Sequence, residues 1–136
     1  MTYALAAPLQ AAVFGRLAAH APLAALVGTA IHDALPPGPL PSLYVALGPE
    51  AARDRSDQSG RGAEHDLVLS VVSDAAGFAS AKAVAAAVCD ALLAPGLALS
   101  RGRLVLLTFV RARAARDGAA RRVDLTFRAR VEDAGL

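Results

Sequence analysis

The stretch from Glu64 to Leu93 constrains the fold of this chain more than any other. Its first half, EHDLVLSVVSD, alternates, so that Leu67, Leu69 and Val71 fall on one side of an extended segment and Asp66 and Ser70 on the other. Its second half, AAGFASAKAVAAAVCDALL, has Ala81, Val84, Ala85, Val88, Cys89 and Leu92 at three- and four-residue steps, a single helical stripe. Asp74 stands between the two halves, where a helix N-cap is expected. A strand feeding an Ala-rich amphipathic helix is therefore the central supersecondary unit.

The flanking segments extend this unit into one domain over residues 1–136. Leu5 to Ala19 reads as a helix with Pro8 in its opening turn and Leu9, Val13 and Leu17 on one face. A short helical turn runs from Ala21 through Leu26 and ends at Gly28, and Ile31-His32-Asp33 forms a brief extended piece. The proline-rich connector Leu35–Pro41 admits neither helix nor central strand. It delivers the chain to a strand, Leu43–Leu47, closed by Gly48-Pro49 and prolonged as an edge by Glu50–Arg55. Ser56–Gly62 is polar and glycine-containing, a mobile loop between antiparallel strands.

After the central helix, stopped by Pro95-Gly96, come two further strands, Arg103–Ala114 and Arg122–Glu132. They are joined by a hairpin with Asp117-Gly118 at its centre. In the last strand Val123, Leu125, Phe127, Ala129 and Val131 point inward, and Asp124, Thr126, Arg128 and Arg130 outward. The order α-α-β-β-α-β-β predicts an α+β, two-layer fold: an antiparallel four-stranded sheet with helices packed on one face. With aromatics at 4% and no Trp, its core must be built from Leu, Val and Ala.

Catalytic patterns are missing. His20, His32 and His65 are widely spaced and read as surface or capping residues. His65 and Asp66, adjacent in an extended segment, point to opposite faces. There is no G-x-S-x-G and no H-E-x-x-H. Gly60-Arg61-Gly62 opens like a dinucleotide fingerprint but leads into a strand and lacks the third glycine. Cys89, on the apolar stripe, reads as a small buried hydrophobe, and a single cysteine excludes an internal disulfide, in keeping with synthesis in a reducing compartment. No catalytic residue, metal ligand or cofactor site is expected. No charge-free run is long enough and uninterrupted enough to span a membrane, and the N-terminal segment lacks the positive region of a secretory signal.

The charge distribution is more informative. From Arg101 onward nine arginines face four acidic residues, a local excess of five positive charges. Arg111, Arg113, Arg128 and Arg130 share one face of the sheet if the last two strands pair through the Asp117-Gly118 turn. Such a face is a solvated surface, a phosphate-contacting surface, or a subunit interface with partners such as Asp54, Asp57, Glu132 and Asp133. No aromatics interleave the arginines, which weighs against single-strand binding.

Taken in order, several segments resemble the small tail-completion, or tail-terminator, proteins of long-tailed phages, and most closely the version in bacterial gene transfer agents. They are Ala6–Val13, Leu26-Val27-Gly28, Ile31-His32-Asp33, Pro41–Glu50, the Asp57–Gly62 loop, Glu64–Ser73, Gly77–Lys82 and Arg122–Val131. The resemblance implies a non-enzymatic structural virion protein, made in the bacterial cytoplasm and placed in the particle neck. It implies a homohexameric ring that caps the head-proximal end of the tail tube and docks to the head-side connector or stopper protein. DNA would cross the lumen only as passing cargo. The resemblance further implies an Arg53–Gly62 loop that orders on docking. Interface candidates are Arg53, Asp54, Asp57, Arg61, Arg111, Arg113, Arg128, Arg130 and Glu132, and Arg→Glu changes at Arg128 or Arg130 should disturb assembly. The alternative from another class is a small arginine-rich nucleic-acid-binding domain.

Overall fold

A computed structural model describes residues 3–58 and 60–133. Met1 and Thr2 of the N-terminal segment, Ser59 of the predicted loop and residues 134–136 lie outside the described residues. The elements run α1 (Ala6–Ala19), α2 (Ala21–Val27), β1 (Ile31–His32), β2 (Leu43–Asp54), β3 (Arg61–Ser73), α3 (Ala79–Leu93), β4 (Arg103–Asp117) and β5 (Ala120–Asp133). The α+β class stands. The sheet, however, has five strands in the order β1-β2-β3-β5-β4 and is mixed, because β1 runs parallel to β2. A two-residue strand has no readable period. Ile31 and His32 are held opposite Val45 and Ala46, with the Val45 N–H donating to Ala30 O at 2.9 Å.

The central unit folds as its periodicity requires. Ala63, Leu69 and Val71 of β3 are buried against the helical layer, and Val123, Leu125, Phe127, Ala129 and Val131 of β5 are buried beside them. α3 presents Ala81, Val84, Ala85, Ala87, Val88, Ala91 and Leu92 to this surface. Leu9, Val13 and Leu17 of α1 and Leu23 of α2 complete the core. Alanine at the contact lets α3 sit close to the sheet, which compensates for the scarcity of aromatics. Arg16 ties α1 to the end of α3, donating from Nη1 to the carbonyls of Ala91 and Ala94 at 3.1 Å.

Three local expectations are corrected. Asp74 does not cap α3: its N–H donates to Ser42 O, and the N-cap position is Phe78, four residues later, with no side-chain cap. Ser73 Oγ takes the turn instead, accepting from the Ala75 N–H at 3.1 Å. Gly48-Pro49 does not close the first strand. The β2 register shifts between Leu47 and Glu50, and the strand continues to Asp54; a bulge on an uncovered edge is a place where proline costs no ladder bond. Finally, the predicted Arg53–Gly62 loop is shorter at both ends than expected. Arg53 and Asp54 end β2, Arg61 and Gly62 begin β3, and Arg55 and Gly62 are bonded (N–H to O, 2.9 Å).

The final hairpin turns one residue later than expected. Asp117 pairs with Ala120, so Gly118-Ala119 is the two-residue loop, with positive φ at Gly118 alone. That pattern suits a turn of type II′, whose first central residue is normally glycine.

Candidate interaction surface

Because side chains alternate along a strand, the core-facing set of β3 and β5 fixes the outward set. In register, Asp66 lies opposite Arg128, Glu64 opposite Arg130, and Ser70 opposite Asp124. On the far side of β5, Arg111 lies opposite Thr126 and Arg113 opposite Asp124. The four arginines expected to share a face, Arg111, Arg113, Arg128 and Arg130, therefore do so.

Their partners are not those expected. Arg128 grips Asp66 bidentately, Nε to Oδ1 at 2.8 Å and Nη2 to Oδ2 at 3.2 Å. Arg53 reaches the same carboxylate at 3.2 Å from the neighbouring strand and also bonds Glu64. Hydrogen bonds from Arg128 and then Arg53 hold the Asp66 carboxyl below the usual aspartate range, and Asp66 raises Arg128 in return. A second cluster joins Arg122 Nε to Asp124 at 2.9 Å and Arg122 Nη2 to Ser70 Oγ at 3.0 Å, with Ser70 donating to Asp124 at 2.6 Å. Two of the four acids proposed as partners for other subunits are taken within the chain: Glu132 by Arg103 at 3.1 Å and Asp133 by Arg101 at 2.8 Å.

The remaining candidates divide. Asp54 accepts from Ser56 N–H and Oγ, which lowers its pKa, and Asp57 Oδ1 accepts from the Gly60 N–H at 3.0 Å, so both acids shape the β2–β3 connection. Arg61 is exposed at the start of β3. The Nε of Arg130 is buried and has no hydrogen-bond partner among the described residues. Arg111 and Arg113 are exposed and line a shallow cavity of about 260 Å³ with Val68, Asp124 and Thr126. Among the described residues neither has an acidic partner within ion-pair distance.

Sequence reasoning missed a further cluster. His65 is fully buried, contrary to its expected surface or capping role, because its parity places it on the core side of β3. Its Nδ1 lies 2.9 Å from Glu50 Oε2, and its ring stacks on Tyr3 at 6.0 Å. Tyr3 OH donates to the same Glu50. His65 and Asp66 do point to opposite faces, as adjacency in a strand requires. Glu50 also borders an open cleft of about 470 Å³ between α1 and β2, lined by Tyr3, Ala7, Gln10, Ala11, Phe14 and Leu47. Cys89 is half-buried, and burial pushes its thiol pKa up, the reverse of nucleophile activation. No group of three or more His, Cys, Asp or Glu is placed to hold a metal ion among the described residues. No single helix among them is long and apolar enough to cross a membrane.

The sequence matches the family of tail completion protein gp17 over residues 11–132. The chain belongs to that tail-completion family. The structure is also similar to a chain from the virion of a native gene transfer agent particle. The two share 62% sequence identity, with a TM-score of 0.91 over 96% of this chain and 99% of that one. No curated protein matches. For a tail-completion protein, the charged sheet face and the open cleft are surfaces open to structural partners.

Proposed function

We propose that this protein is a structural component of a gene-transfer-agent-like particle and acts as its tail terminator. Copies would close into a homohexameric ring on the head-proximal end of the tail tube, stop its growth and join it to the head-side connector. The work is mechanical, with no catalysed reaction. The observation that carries this reading is the near full-length similarity to a gene transfer agent virion chain, within the tail-completion family.

The geometry supports an assembly role in two ways. A five-stranded sheet with open strand edges on both flanks offers two different contact surfaces, which head-to-tail closure of a ring needs. Of the interface candidates, the exposed Arg61, Arg111 and Arg113 remain available to a neighbour. Arg53, Asp54, Asp57, Arg128 and Glu132 are already engaged in the chain's own network, where they rigidify the surface.

That same network counts against a nucleic-acid-binding domain. Arg53, Arg101, Arg103, Arg122 and Arg128 all have intramolecular acidic partners, which reduces the cationic surface left for phosphates. The deciding experiment is electron cryo-microscopy of particles carrying a tagged copy. The tag should decorate the head–tail junction with ring symmetry; label at the distal tip, or along the whole tube, would refute the proposal.

A further inference from the structure

We propose that neighbouring copies join head to tail, with the β4 edge of one seated against the cleft between α1 and the uncovered half of β2 on the next. The inference rests on the ring reading and specifies which surfaces meet.

Strand β4 is the longest in the sheet, fifteen residues, and its outer edge has no strand beside it among the described residues. Such an edge is a template for association unless it is blunted. Here it is instead apolar on both faces. Leu106, on the charged face opposite Arg130, is 57% exposed, and Phe109, on the helix side opposite Phe127, is 44% exposed. The register shifts flanking these residues twist the edge without covering it. Beside them stand Arg111 and Arg113, cations with no ion-pair partner among the described residues.

The opposite flank has complementary character. β1 covers only Val45 and Ala46, so no strand among the described residues lies beside the outer edge of β2 from Leu47 onward. The adjoining cleft of about 470 Å³ is walled by exposed α1 residues at helical spacing, Ala7, Gln10, Ala11 and Phe14, with Leu47 beneath and the Glu50 carboxylate at its border. Its described lining is mostly apolar and carries one charge, the negative Glu50; the exposed β4 flank is apolar and positive. Charge also excludes the simplest alternative. Pairing β4 with β4 of a second copy across a two-fold axis would bring the unpartnered arginines of both copies onto one short stretch of ladder, where like charges repel. A β4-to-β2 contact joins unlike surfaces and leaves each copy with one free flank of each kind until the ring closes.

The test is cysteine cross-linking in assembled particles. In a Cys89→Ser background, Leu106→Cys and Ala11→Cys are introduced singly and together and treated with a flexible bismaleimide. The double variant should give a ladder of linked subunits ending at the size of the full ring, and each single variant only monomers. Linked dimers from Leu106→Cys alone would overturn the inference in favour of β4–β4 pairing. Absence of any ladder, in particles whose native mass still shows the closed ring, would overturn the inference and leave the ring reading standing. Absence of a ring in unmodified particles would overturn both.

Discussion

At the scale of single residues, the structure separates arginines that hold this chain together from those that face outward. Arg128 and Arg53 neutralise Asp66 and Glu64 on their own sheet face. These arginines are solvent-exposed, so screening keeps the contribution of each pair small. Arg128→Glu would therefore perturb the chain's own network as well as any contact with a neighbour. Arg111→Glu with Arg113→Glu is the cleaner probe. Melting should stay within about 0.5 kcal/mol of the parent, while incorporation into particles, read by immunoblot of purified material, drops severalfold; full incorporation would remove both residues from the interface. Asp66 gives a pH prediction. Its folded pKa is depressed below the unfolded value of about 3.9, so its stabilising contribution is complete above that value and is lost as pH falls through the folded one. Urea midpoints measured from about pH 5 down to pH 3 should fall less steeply for Asp66→Asn than for the parent; parallel slopes would show that the Asp66 pairs are energetically idle. The outward parity of Asp66, Arg128 and Arg130 was legible in the sequence. Their pairing was not, since it depends on a β3–β5 register set across more than fifty residues by the core.

At the scale of elements, period and burial agreed wherever a segment was long enough to show a period. β5 buries the five residues its alternation assigns inward, and α3 buries its stripe, apart from the half-buried Cys89, together with Ala87 and Ala91. The misreadings fall where local signals and tertiary context compete. β1 is too short to show alternation, the Gly48-Pro49 stop is absorbed into a bulge, and the Asp74 cap signal is overridden by a backbone bond to Ser42. His65 was misjudged because a polar residue was given a surface role although its parity matched that of Leu67 and Leu69. Two substitutions test the packing. Ala81 is fully buried where α3 meets the sheet, so Ala81→Leu should overpack the contact and cost about 1–3 kcal/mol in chemical denaturation; a neutral result would mean the layers are not tightly apposed. Gly102 combines φ of 66° with a position where an added Cβ would lie 2.5 Å from Glu132 O. Gly102→Ala should destabilise by more than about 1 kcal/mol, whereas Gly118→Ala, with positive φ but open space around it, should cost less.

At the scale of the whole molecule, the chain is a two-layer plate with open strand edges on both flanks and a charged face between them. Such a subunit is suited to contact copies of itself and structural neighbours, and its function belongs to the assembly. This is why a residue-by-residue search for chemistry gave only absences, while the order and spacing of many weak segments gave the family. On the proposed reading the protein caps a polymer, and removing such a cap has a direct consequence, because nothing then stops the tube. The decisive measurement is the tail-length distribution, by electron microscopy, in a producing strain that lacks this chain. The account predicts overlong tubes of variable length, unattached to heads, with uniform joined particles restored by re-expression. Tails of normal, uniform length still joined to heads would contradict it.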